Sequence, residues 1–211
     1  MKAAHWALLA AAVLPTVASA NQAGDVIVRV GTATVRPSAN SPSVLGSLGS
    51  FNASNNTQMG LTLGYMWTDN IGTELLAATP FRHKIGLNGM GDIATVRQLP
   101  PTLMAQYYFG DKEDTLRPYV GVGVNYTTFY HARFNETGSN AGLSDLSMKH
   151  SWGWAGQAGV DYNINRNWLL NASVWWMDID TTARFKAGGE QQSVSTQLNP
   201  WVFMFAVGYK F

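Results

Sequence analysis

The stretch W-V-F-M-F-A-V-G-Y-K-F, residues 201–211, decides the fold. Trp201, Phe203, Phe205, Val207, Tyr209 and Phe211 share one side of an extended chain, and Val202, Met204, Ala206, Gly208 and Lys210 share the other. Side chains of a strand alternate between faces, so this period of two marks a strand with two different surroundings. Working outward, Trp168, Leu170, Ala172, Val174 and Trp176 oppose Asn171, Ser173, Trp175 and Met177. Trp152, Trp154, Ala158, Val160 and Tyr162 oppose Gly153, Ala155, Gln157, Gly159 and Asp161, and Leu61, Leu63, Tyr65 and Trp67 oppose Gly60, Thr62, Gly64 and Met66. Four more segments, near 25–35, 71–81, 99–109 and 117–130, read alike, which makes eight.

The rings recur at a fixed interval. Trp168 and Trp176, Trp201 and Tyr209, and Trp154 and Tyr162 each stand eight positions apart on one face. Eight residues at a rise of ~3.3 Å, tilted ~40°, cover roughly 20 Å, close to the ~25 Å apolar band between the aromatic girdles of an outer-membrane barrel. Short polar turns (Asp69-Asn70, Asp111 to Asp114, Asn163 to Asn167) alternate with longer stretches near 37–57, 82–98, 131–150 and 186–194. The expected fold is an all-β, eight-stranded antiparallel transmembrane barrel with short periplasmic turns and longer extracellular loops, in the outer membrane of a Gram-negative cell.

Composition narrows the function classes. Lys2, an apolar run from Trp6 to Val17 and the small residues of Val17-Ala18-Ser19-Ala20 read as a cleaved secretory signal, leaving residues 21–211 as a single domain. Removing Lys2 from the 14 basic residues leaves 13 against 13 acidic ones, so the exported part is formally neutral and lacks the basic excess that a nucleic-acid partner requires. The chain has no cysteine, which excludes disulfides and Cys-based metal or redox sites.

The inward positions divide by height. Near the periplasmic end lie Arg29, Glu74, Gln106, Asp161 and Lys210, two cations and two anions that can pair into a polar plug. Higher up the inward face turns apolar at Leu76, Ala78, Pro80, Trp175, Met177, Leu198, Val202 and Met204. These residues either fill a narrow lumen or line an apolar funnel suited to a hydrophobic solute. Pro80 near the top of the third strand and Pro100-Pro101 at the start of the fourth interrupt neighbouring ladders, because proline cannot donate to them. A weakened seam there offers a sideways exit into lipid.

Six blocks carry a resemblance: LLAATPFRHKIG (75–86), LPPTLMAQYYFGD (99–111), RPYVGVGVNYTTF (117–129), AGLSDLSMKH (141–150), WWMDIDTTA (175–183) and NPWVFMFAVGYKF (199–211). Together they make the chain similar to the outer membrane protein W family over essentially its whole exported length. The resemblance implies a hydrophobic channel for small apolar molecules with lateral exit, and a narrow gate at Leu76 and Trp175. It also implies that the ending at Phe211 is read by the outer-membrane assembly machinery. Loop one and the Leu87–Asp92 region depart from the family pattern, which bears on any capture of a bacteriocin or phage by the loops.

Catalysis finds little support in the residues. His83, His131 and His150 sit in or beside different extracellular loops, and no histidine pair stands at metal-ligand spacing. Asp178 and Asp180 could meet a histidine at the rim, but solvated rim charges account for them as well. Gly121-Val122-Gly123 is a small inward face and not a phosphate loop. No catalytic residue, metal or cofactor is expected. Three classes remain: a passive channel whose partners are membrane lipid and hydrophobic solutes, a structural, adhesive or receptor barrel, and a lipid-modifying enzyme dependent on His83 or His131.

Overall fold

The computed structural model describes residues 21–38, 41, 50–87 and 89–211; the expected secretory signal lies outside the described residues. Eight strands form the wall: β1 (Val26–Arg36), β3 (Asn56–Met66), β4 (Ile71–Ala78), β7 (Thr102–Tyr108), β8 (Leu116–Phe134), β10 (Ser151–Asn163), β11 (Trp168–Met177) and β14 (Trp201–Lys210). Each pairs antiparallel with the next, and β1 closes on β14 from Ile27↔Lys210 to Arg36↔Trp201. A closed ladder satisfies every wall amide without water, which a strand in hydrocarbon requires.

Lipid selects the outward face. Trp168, Trp176, Trp201, Trp154 and Tyr162 all point out, and Trp168 meets Tyr209 edge-on with 4.9 Å between ring centres. The inner wall is tight enough to demand glycine locally: a Cβ on Gly31 would collide with the backbone carbonyl of Phe205.

Three expected loops contain long stretches of strand. Residues 82–98 fold almost entirely into β5 (Phe81–Leu87) and β6 (Gly91–Leu99), paired from Phe81↔Gln98 to Leu87↔Gly91. The 186–194 stretch belongs to the β12 (Asp180–Ala187) and β13 (Glu190–Gln197) hairpin, which turns at Gly188 and Gly189 with positive φ. β8 runs on to Phe134, followed by α1 (Glu136–Asn140) and β9 (Leu143–Met148). Of the 37–57 stretch, Phe51–Ala53 form β2, which adds to β5, and β3 begins at Asn56. Gly, Ser and Asn mark turns, but alternation persisted between them: Phe81, His83, Ile85 and Leu87 are all buried. The wall therefore extends well outside the membrane, with an apolar inner face.

Candidate functional site: the barrel lumen

The periplasmic half of the lumen is filled by one hydrogen-bonded network. The Arg29 guanidinium donates to Glu74 Oε1 at 2.8 Å and to Asp161 Oδ2 at 2.6 Å. It also donates to the Tyr108 hydroxyl at 3.0 Å, and that hydroxyl passes a hydrogen bond to Gln106 Oε1, also at 3.0 Å. Gln106 and Gln157 each donate to Glu74 Oε2, at 2.6 and 2.8 Å. Asn171 donates to Asp161 Oδ1 at 2.7 Å and to the Tyr119 hydroxyl at 2.9 Å. Arg29, Glu74 and Asp161 are each at most 1% exposed. Charges this deep are costly unless paired and hydrogen-bonded, and here both carboxylates share one arginine and collect amide donors besides.

The two cations of the expected plug hold different positions. Arg29 spans both acids, and Lys210 donates to Asn163 Oδ1 at 2.8 Å. The reason is reach: a planar guanidinium offers diverging donors, whereas an ammonium on a flexible stem is a point charge. Beneath the network, Ile27, Met66, Leu169 and the rings of Tyr108 and Tyr119 pack into an apolar floor. Tyr108, Tyr119, Gln157 and Asn171 were missed as network members. Their inward parity was readable, but the phenols resembled wall rings and uncharged amides gave no charge signal.

Above this the lumen changes character. Leu76, Met104, Trp175, Met177, Val202 and Met204 are nearly fully buried and belong to one apolar cluster that continues into the extracellular walls. Ala78 and Leu198 pack against it while half-buried. Pro80 does not join the lining. The β4 ladder ends at Ala78, Thr79 turns its N–H to the Met59 carbonyl, and Pro80 is left exposed, so the alternation no longer applies. The upper lumen is filled rather than open, as eight strands dictate. Among the described residues, apolar cavities persist here, two of them of ≈ 30 Å³ each sharing Ala53, Ile85, Met148 and Leu198 in their walls. A polar bowl of ≈ 720 Å³ lies at the rim, with Lys149, His150, Asp180 and Gln197 among its lining.

The prolines sit at a lapse in the wall. β4 pairs with β7 up to Leu76↔Thr102, and pairing resumes between β5 and β6 at Phe81↔Gln98. Between these points Ala77–Pro80 face Leu99–Pro101 with no cross-strand pair. Asn125, buried in the lumen, compensates on one side by donating to Thr102 Oγ1 at 2.8 Å and to the Pro100 carbonyl at 3.4 Å.

The three histidines among the described residues do not converge. His83 is buried in β5 and its Nδ1 donates to the Ser54 carbonyl at 2.7 Å, His131 is exposed on β8, and His150 Nδ1 accepts the Phe129 N–H at 3.3 Å. Burial holds the His83 ring below its ordinary value of 6.5, partly opposed by the bond to Ser54. Among the described residues no group of three or more His, Asp or Glu side chains could hold a metal ion.

Residues 22–211 of this closed eight-stranded wall match the model of the OmpW family. The chain belongs to the OmpW family. Outer membrane protein W of Escherichia coli K12 is 63% identical over 205 residues, covering 97% of both chains. The crystal structure of OprG from Pseudomonas aeruginosa superposes with a TM-score of 0.87 at 40% identity, covering 92% of this chain and 99% of that one. A more distant relative, the dibenzothiophene metabolism operon protein PahQ of Pseudomonas aeruginosa, is 25% identical over 167 residues, covering 77% of this chain and 75% of its own. This OmpW-family chain is an outer-membrane protein of a Gram-negative cell, and the relatives 55% and 63% identical to it are named outer membrane protein W.

Proposed function

We propose that this family member is a passive conduit through which small hydrophobic molecules enter the outer membrane, with no catalytic chemistry of its own. A solute would enter between the extracellular walls, whose apolar inner faces shield it from the hydrated sugar layer. It would pass Leu76 and Trp175 by displacing flexible neighbours such as Met104, Met177 and Met204, since methionine repacks at little cost. The Arg29 network then denies it a straight path, because an apolar molecule cannot replace those hydrogen bonds.

The observation that carries the reading is the ladder lapse between Ala77–Pro80 and Leu99–Pro101, which adjoins the apolar cluster at Leu76. A sideways exit needs wall that can part without breaking hydrogen bonds, and this is such a place. The relative named for dibenzothiophene metabolism lends support, since dibenzothiophene is an apolar polycycle.

The test is entry of a hydrophobic fluorophore into cells carrying no barrel, the native barrel, Trp175→Asp, or Pro100→Ala/Pro101→Ala. Faster entry with the native barrel alone supports the conduit. Equal rates for all four, with folded barrels, would show that the apolar lumen is packing and would favour a structural or receptor role.

A further inference from the structure

Outside the lumen, the strongest unexplained feature is a cationic groove on the outer wall. β6 lies between β5 and β8, and its register sets two rows of side chains across the three strands. Arg82 opposes Arg97, which opposes Tyr130; Lys84 opposes Thr95, which opposes Arg133. Arg82, Lys84, Arg97, His131 and Arg133 are exposed, and the three arginines, Thr95 and His131 line a groove of ≈ 200 Å³. Asp92 holds Lys84 at 3.0 Å, whereas none of the three guanidinium groups forms an ion pair among the described residues.

Two details show that the cluster is built at a cost. Like charges directly opposite on neighbouring strands destabilise a sheet, and Arg82 and Arg97 are such a pair. His131 adopts a left-handed backbone, φ 49°, at a bulge where the β6–β8 register shifts between Thr95 and Arg97. Before the bulge Thr127 and Phe129 face inward; after it Ala132 and Phe134 pack on the core, and Arg133 turns out beside Arg97. A bulge re-aims side chains at the expense of ladder hydrogen bonds, and a non-glycine residue in this region adds strain.

Height identifies the ligand. Tyr126 packs against the outward Trp152, ring planes tilted by 39° and ring centres 4.7 Å apart, which marks the upper girdle. Tyr130 is four residues further along the same strand, roughly 13 Å of chain and about 10 Å of height at the usual tilt. That is the level of headgroups and the first sugars above the hydrocarbon, within reach of arginine side chains that extend downward.

We propose that this groove binds the phosphorylated headgroup of a glycolipid in the outer leaflet. Guanidinium forks match phosphate oxygens two at a time, and an anion among Arg82, Arg97 and Arg133 removes their mutual repulsion. The bound lipid would hold the β5–β6 hairpin beside the lapse at Pro80 and Pro100, in contact with the bilayer.

The test uses the folded full-length barrel in phosphatidylcholine bicelles, with retained lipid counted by native mass spectrometry. The native protein should retain diphosphoryl lipid A about tenfold better than Arg82→Gln/Arg97→Gln/Arg133→Gln, as loss of several charge-assisted bonds implies. Arg184→Gln, an exposed charge on the β12–β13 hairpin, should change retention less than about twofold, the scale of an unpaired surface charge. Fully dephosphorylated lipid A should bind the native barrel no better than it binds the triple variant. If the triple variant does not fold, Arg133→Gln replaces it, with a loss of about threefold expected for one guanidinium. Undiminished retention by either folded variant, or equal retention of dephosphorylated lipid, would overturn the proposal. Displacement by millimolar inorganic phosphate would reassign the groove to free anions.

Discussion

The two halves of the lumen are built inside the same eight-stranded wall, yet they hold together by opposite means. Below, Arg29, Glu74, Gln106, Gln157 and Asp161 interlock through directional bonds, so each side chain has one place to be. Above, Leu76, Met104, Trp175, Met177 and Met204 meet through contacts without direction, where several arrangements are nearly equal in energy. The lower half can therefore be a rigid stop and the upper half a yielding passage, although both are closely packed. Being filled does not make a lumen closed; what matters is whether its filling can rearrange.

Arg29→Ala should break this contrast most severely. It leaves two buried carboxylates without their shared cation, a loss of about 3–5 kcal/mol in urea unfolding of the micelle-bound barrel. A loss under half of that would mean water or Lys210 can take over, and the rigid-stop picture would fail. Leu76→Ala should cost about 2–3 kcal/mol, because the surrounding methionines only partly collapse into the gap. The same variant should speed fluorophore entry if Leu76 narrows the passage; slower or unchanged entry would count against that role. Replacing the whole charged set, Arg29→Met/Glu74→Gln/Asp161→Asn, should stay within about 2 kcal/mol of the native barrel, since no charge is left unpaired. A larger loss would show that the ionic character itself, not its pairing, holds the lower lumen.

The smallest expected effect concerns His83, which sits between the passage and its extracellular walls. Its folded-state value lies below 6.5, so between those two values the unfolded ring binds a proton that the folded ring does not. The hairpin's stability is then full above about pH 6.5 and declines as the pH falls below it, levelling off once the folded ring is also protonated. Amide exchange in β5 should accelerate between pH 7.5 and pH 5 after correction for intrinsic rates, and His83→Asn should abolish that acceleration.

The membrane-spanning wall was legible in the sequence because one force dominates it: lipid demands an apolar outward face, and alternation records that demand residue by residue. Trp168 and Tyr209, each placed on an outward face by alternation, lie on the outer surface, where their rings also meet. The extracellular walls were hidden because two signals conflict there. Asn88, Gly89 and Gly91 mark a turn, while Phe81 to Leu87 and Ile93 to Gln98 carry a strand pattern with charged outer residues suited to water, not lipid. The plug was half-visible. Charge at inward positions flagged Arg29, Glu74 and Asp161, but Tyr108 and Tyr119 are apolar by ring and polar by one atom, and only geometry shows which part is used. Pro100 and Pro101 marked a break in the wall, while the bulge at His131 left no trace in composition.

The closure of β1 on β14 has a consequence for how the chain reaches this state. Ten consecutive partners, Ile27 with Lys210 through Arg36 with Trp201, join the first and last strands. These contacts are the most distant in sequence that the wall contains, so they carry the largest loop-closure entropy and form late unless something holds the ends together. Until they form, the nascent sheet has two free edges, each able to template pairing with another chain. A growing chain of this kind therefore cannot complete its wall piece by piece; it must be kept from aggregating until its final strand is available, and the last strand to be synthesised is the one that ends its vulnerability.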